Sequence, residues 1–330
     1  MKLLLLSAEE VRKALPMAEA IEIVKGAFAQ LSTGKANVPL RTQLPVEKHE
    51  GVTLFMPAYL SETDALGAKV VSVFPKNLEK GLPTIFAVVI VVDSETGCPV
   101  ALMDGTYLTA LRTGAASGAA TDLLARKDAK VAAIFGAGAQ ARTQLLAVCT
   151  ARKIEKVWVY DIVKERAEAY AAEMKGFGPI PSDIRVASDP KEAVQEADVI
   201  CTATTSSTPV FNGEDLKPGV HINAIGSFTP KMQEVDEVTI RRASKIVVDS
   251  RSACLAEAGD LIIPISKGVI SEKDIYAELG EIAAGLKPGR ERDDEITYFK
   301  SVGNAVQDVS VAKRVLERAR ELGLGKEVEI

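Results

Sequence analysis

Two glycines and an acid carry the first chemical signal. The stretch Lys130-Val-Ala-Ala-Ile-Phe-Gly136-Ala137-Gly138-Ala139-Gln140-Ala141 runs from small and β-branched apolar residues into a glycine pair, and a helical segment, 142–150, follows. Strand, tight turn and helix with the pattern G-x-G-x-x-A make a dinucleotide-binding turn. Gly136 permits the turn, Gly138 lets backbone approach a pyrophosphate, and Ala141 lets the helix pack close to its strand. The first N–H groups of the helix then face the phosphates. A second expected strand, 156–161, ends in Asp161, 23 residues after Gly138. A carboxylate at that distance takes the adenosine ribose hydroxyls, so NAD is the expected cofactor. Lys164 and Arg166 follow at once and leave NADP open. The competing reading is a glycine turn with Asp161 only capping a helix that starts near Val163.

Other chemistries lack parts. Cys98, Cys149, Cys201 and Cys254 are far apart, and they read as free thiols of a reducing cytoplasm. His49 lies in a charged loop and His221 inside an apolar strand, so neither a nucleophile–histidine pair nor a metal site is expected. The net charge is −5 with no basic tract, which argues against nucleic acid. No apolar run approaches the ~20 residues of a membrane span. The apolar start, Leu3 to Leu6, is followed directly by Glu9, Glu10, Arg12 and Lys13, and reads as a strand rather than a signal peptide.

These residues need elements to position them. A chain of 330 residues suggests two domains. After the first strand, Ser7 and Glu10 form a capping box before a helix, and a second helical pattern, 18–31, stops at Gly34. Extended pieces at 41–45, 52–57, 66–74, 84–92 and 99–103 predict a mixed or mostly antiparallel sheet. A helix over 107–126 carries the small-residue run Thr113 to Ala120, which predicts close packing. Strands at 130–135, 156–161, 184–188, 197–204, 219–225, 245–249 and 296–300 alternate with helical or irregular stretches. The class is therefore α/β, with a Rossmann-type doubly wound parallel sheet preceded by an α+β part. Helical pieces are expected after 252, Glu234 and Asp236 read as helix-start residues, and an amphipathic helix over 305–322 stops at Gly323.

Four stretches resemble the ornithine cyclodeaminase and mu-crystallin family: Asp104 to Thr113, Gly136 to Gln140, Gly219 to Ser227, and Phe299 to Asp308. They occur in the family's order, and the likeness covers essentially the whole chain. The resemblance implies hydride transfer between a nicotinamide and the α-carbon of an amino or imino acid, as in ketimine reductases, archaeal-type alanine dehydrogenases and cyclodeaminases. It implies a homodimer and a discontinuous substrate-binding and dimerisation domain, 1–118 completed by 304–330, around a nucleotide-binding domain, 119–303. It places Arg41, Lys69 and Arg112 on the substrate carboxylate. A cation suits that anion, and a buried lysine can exchange protons. It places Thr84, Arg112, Gly136, Ala137, Gly138, Ala139, Gln140, Asp161, Thr202, Ala203, Thr204, Ile225, Gly226, Ser227, Ser301, Val302 and Gly303 on the cofactor. One position departs: cyclodeaminases carry an aspartate two residues after the glycine matching Gly226, and here Phe228 stands there. Phenylalanine cannot hold a distal ammonium, which favours imine reduction or amino-acid dehydrogenation over ornithine cyclisation. A binding protein of crystallin type without turnover is the remaining alternative, and retention of all three cations speaks against it.

Overall fold

The computed structural model describes residues 1–330. The chain divides into two units, Met1–Arg112 with Asn304–Ile330, and Thr113–Gly303. The division falls inside the helix Gly105–Leu124, earlier than the expected 118/119 boundary. Local bonding explains the shift. Arg112 is tied to Gln307 and Asp308 of the first unit. Gly114 instead packs in the second, where a Cβ would lie 2.5 Å from the Thr143 carbonyl oxygen. The small-residue run was there to admit that approach.

Sixteen strands follow the chain: β1 (Lys2–Leu6), β2 (Ala36–Asn37), β3 (Thr42–Val46), β4 (Gly51–Leu60), β5 (Ala65–Val73), β6 (Ile85–Val92), β7 (Pro99–Asp104), β8 (Val131–Phe135), β9 (Lys156–Tyr160), β10 (Ile184–Val186), β11 (Val199–Thr202), β12 (His221–Ala224), β13 (Lys245–Val248), β14 (Ile275–Glu278), β15 (Thr297–Lys300) and β16 (Lys326–Glu329).

The first unit holds a mixed sheet ordered β16-β1-β7-β6-β5-β4-β2, with β3 also on β4. Only β1 and β7 run parallel. The helix Ala305–Leu322 lies on β4, β5 and β6 through Val306, Val309, Ala312, Val315, Leu316 and Ala319. Its ends are set by sequence. Asn304 and Gln307 make a reciprocal cap, and Gly323 stops the helix with φ 64°. The strand register puts Met56, Lys69, Val89 and Met103 in one row across the sheet, all buried. The adjacent row, Phe55, Val70 and Val88, faces the other way because side chains alternate along a strand, and Phe55 and Val88 are exposed.

The second unit holds an eight-stranded sheet ordered β10-β9-β8-β11-β12-β15-β13-β14, parallel at every pairing. The winding reverses between β8 and β11, which is where a doubly wound sheet opens a crevice for ligands. The helix Ala139–Ala151 covers one face with Ala141, Leu145 and Val148. Trp158, Val194, Phe211 and Tyr298 fill the other. β15 inserts between β12 and β13, and β14, in a stretch expected to be helical, forms an edge.

Candidate active site

The glycine turn sits at the carboxyl end of β8. Gly136 takes φ +93°, and a Cβ there would meet the Ala203 carbonyl oxygen at 2.8 Å. Gly138 is the N-cap of the following helix and offers no side-chain cap. A Cβ at Gly138 would meet nothing within 4 Å. The helix therefore begins with uncapped N–H groups beside open space, the arrangement a pyrophosphate requires. Asp161 faces this turn. One carboxylate oxygen accepts the Ala137 N–H at 2.9 Å, and the other accepts the Val163 N–H at 2.9 Å. Each oxygen keeps a lone pair for a ribose hydroxyl. A cleft of about 680 Å³ is lined by Gly136, Ala137, Gly138, Asp161, Ala203 and Thr204, together with Tyr160, Arg166 and the 205–210 loop. That volume and these groups fit a dinucleotide. Lys164 pairs instead with Glu168.

Two fully buried carboxylates stand behind the strand ends. Glu234 is not a helix-start residue; Asp236 alone caps that helix, accepting the Thr239 N–H. Glu234 accepts five hydrogen bonds, from the Thr202 hydroxyl, the Thr204 N–H and hydroxyl, and the Gly226 and Ser227 N–H groups. Asp249 accepts the Ser301 hydroxyl and the Val302 and Gly303 N–H groups. The hydroxyls of Thr202 and Ser301, both placed on the cofactor by resemblance, thus point to buried acids, because a buried carboxylate must be satisfied. Ile225 is buried at the end of β12. Ala139 and Gln140 form the first turn of the phosphate helix.

In the first unit, one carboxylate gathers two cations. Asp308 lies 2.8 Å from the Lys69 ammonium and 2.9 Å from Arg112 Nε, and all three are buried. Arg112 Nη1 also donates to Gln307 Oε1 at 3.0 Å. Burial pushes the Lys69 ammonium down to about 8, the Arg112 charge adds to this, Asp308 pulls it back up, and Arg41 pushes it down further. Arg41 is thus close enough to share the field. Two positive charges on one negative leave a net positive site in a dry setting, suited to an anion. Thr84 belongs to this unit, at the entry to β6, where its carbonyl accepts the Phe74 N–H.

Residues 1–323 match the profile of the Ornithine cyclodeaminase/mu-crystallin family. The chain belongs to this family. Among curated members it is 46% identical to a Delta(1)-pyrroline-2-carboxylate reductase of Bacillus cereus over 99% of this chain and 100% of that one. It is 41% identical to the alanine dehydrogenase of Archaeoglobus fulgidus over 100% of this chain and 99% of that one. The structure of Thermococcus litoralis Delta(1)-pyrroline-2-carboxylate reductase in complex with NADH and L-proline superposes with a TM-score of 0.94 at 50% identity, covering 99% of this chain and 100% of that one.

Three acids of this family member escaped the sequence reading: Glu234, Asp249 and Asp308. Only Asp308 carried a usable signal. It falls on the apolar stripe of its helix, at the position that Ala312, Val315 and Ala319 continue, where an acid has to be paired. Phe228 is 41% exposed in the loop after β12. No cluster of three or more His, Cys, Asp or Glu side chains is placed to hold a metal, and no helix is long and apolar enough to cross a membrane.

Proposed function

We propose that this NAD-dependent oxidoreductase reduces the C=N bond of a small imino acid at the carbon bearing the carboxylate, with the five-membered cyclic imine of the pyrroline-2-carboxylate type as its best substrate. The observation that carries this reading is the pair of buried cations on the single acid Asp308. That net positive site takes the substrate carboxylate, with Arg112 offering its planar fork and Arg41 adding charge. The nicotinamide, when bound, supplies the hydride. Lys69 as ammonium holds the proton that the product nitrogen requires; as free amine it accepts that proton in the reverse direction. The nearness of its pKa to neutrality, about 8, lets it serve both ways. In the second unit, Gly138 and the open helix start receive the pyrophosphate, Asp161 the adenosine ribose, and Thr204 with Gly226 and Ser227 the nicotinamide side.

The protein works as a homodimer in this reading. Phe55, Phe86 and Val88, each more than 40% exposed, leave one face of the first sheet apolar, and a second copy covers it. The alanine dehydrogenase related at 41% identity is a dimer with NAD. The four free thiols suit the cytoplasm.

The test is steady-state NADH oxidation with five- and six-membered cyclic imino carboxylates and with pyruvate plus ammonia, beside ammonia release from ornithine. Reduction of the five-membered imine with the highest kcat/KM is expected. Ammonia release from ornithine without imine reduction would make the protein a cyclodeaminase despite Phe228. No turnover with tight NADH binding would make it a crystallin-type binder.

A further inference from the structure

Glu234 is fully buried, touches neither cleft nor solvent, and has no part in the reaction derived above. We propose that it is a positioning residue for the nicotinamide half of the cofactor, holding the ends of β11 and β12 in the shape that half needs. This rests on NAD binding at the cleft of the second unit.

Its contacts define the role. The dinucleotide lies across the reversal between β8 and β11, and Asp161 at the end of β9 marks the adenosine half. The other half falls over β11 and β12. All five groups bonded to the Glu234 carboxylate lie at the ends of those two strands, in Thr202, Thr204, Gly226 and Ser227. Thr204 is itself part of the cleft wall. The fit is close: a Cβ on Gly226 would lie 2.2 Å from the Thr204 carbonyl oxygen and 2.4 Å from Glu234 Oε1. Glu234 is fixed in turn. Asp260 accepts the N–H groups of Glu234 and Val235 at 2.7 and 3.1 Å, and Lys300 of β15 donates to Asp260 at 2.8 Å.

The chemistry calls for a carboxylate. Both oxygens of Glu234 face donors, three of them backbone N–H groups that cannot turn around. Burial holds the carboxyl above its ordinary value, Lys300 opposes this, Asp260 adds to it, and the five donors around the two oxygens are what favour the ionised form. In Glu234→Gln, one of the two acceptors becomes an NH2 group facing N–H donors, so a strand end must move. Glu234 bonds none of Gly136, Ala137, Gly138 and Asp161, and its one link to the turn is Thr204, whose methyl lies against Gly136, so the adenosine half changes less than the nicotinamide half.

The experiment compares NADH with ADP-ribose, which lacks the nicotinamide, by calorimetry on the full-length protein. Glu234→Gln is expected to weaken NADH about tenfold or more, the effect of one lost charged hydrogen bond, while ADP-ribose changes by less than about twofold. If that variant fails to fold, Thr202→Val removes a single donor and keeps the acid; an NADH loss of about threefold with ADP-ribose unchanged supports the proposal. Equal losses for both ligands, or none for either, overturn it. A wild-type protein that binds neither ligand brings down the cofactor reading as well, whereas wild-type binding with equal losses overturns only the role of Glu234.

Discussion

The two turn glycines should separate folding from cofactor binding. Gly138 has φ −83° and ψ −171°, extended backbone that alanine adopts freely, and its Cβ would enter open space. Gly138→Ala therefore changes the ligand-free protein little, because the reduced freedom of the unfolded chain adds about 0.4–1 kcal/mol and alanine's poorer fit at the N-cap takes back a similar amount. The new methyl occupies the approach to the uncapped helix start, so the loss appears with ligand. NADH at about one hundred times Kd stabilises the wild type by about 2.7 kcal/mol; a hundredfold weaker variant retains only about 0.4 kcal/mol of this. Gly136→Ala behaves in the opposite way. Its φ of +93° costs an L-residue roughly 1–2 kcal/mol, and the 2.8 Å approach to Ala203 forces a backbone shift of about 1–3 kcal/mol more. Thermal melts of both variants, with and without NADH, measure the two effects together. A Gly138→Ala protein that loses as much ligand-free stability as Gly136→Ala, or keeps the full NADH shift, would refute the assignment of that space to the pyrophosphate.

Three further outcomes follow from the charged groups. With Lys69 at about 8, imine reduction should fall as pH rises through that value and amino-acid oxidation should rise; Asp308→Asn removes the pull that holds the ammonium and should move both limbs down by about 1–3 pH units in pH–rate profiles. Limbs that stay in place would take Lys69 out of proton transfer. Asp161→Ser should raise the NADPH-to-NADH ratio of kcat/KM by about tenfold or more, since it removes a negative charge from the 2′ position and leaves Arg166 in the cleft; a wild type that already favours NADPH contradicts this. Burial pushes His221 down to about 3. Its folded pKa lies below its unfolded value, so its contribution is complete above about pH 6.5 and is lost as pH falls toward 3, at about 1.4 kcal/mol per pH unit. The slope of unfolding free energy between about pH 6 and 4.5 should drop by one proton in His221→Gln, and an unchanged slope would show that the imidazole is charged in the fold.

Local rules made much of the fold legible. The helix 305–322 was readable to its last residue, because an apolar stripe ends at a glycine that adopts a positive φ. Ser7 and Glu10 form the reciprocal cap that their spacing announces. β14 and β16 were not readable, for a common reason. Ile-Tyr-Ala-Glu and Lys-Glu-Val-Glu are four-residue edge strands, too short for their alternation to stand out from the sequence around them, and they exist because a neighbour offers free backbone groups. The order β12-β15-β13 was equally hidden, since periodicity marks a strand without naming its neighbour. In the site, the glycine turn was legible because it is contiguous. Asp308 and Lys69 are 239 residues apart, and nothing local in either announces the other.

The three hidden acids share a physical logic that explains their invisibility. A carboxylate buried without partners costs several kcal/mol, so each must find donors, and here the donors are groups that the proposed function places against cofactor or substrate. Glu234 and Asp249 are satisfied mainly by N–H and hydroxyl groups at strand ends, which fixes the segments that follow those strands. Asp308 differs because its partners are charged. One negative charge serves two cations, which holds Lys69 and Arg112 in place and stops short of neutralising them. A second acid beside Asp308 would cancel the field and close the site to a carboxylate. Replacing Asp308 with an apolar residue would leave two like charges buried near each other with no counter-charge between them. A single acid between two cations holds both side chains in position and still leaves one positive charge, the one that the proposed function gives to the substrate carboxylate.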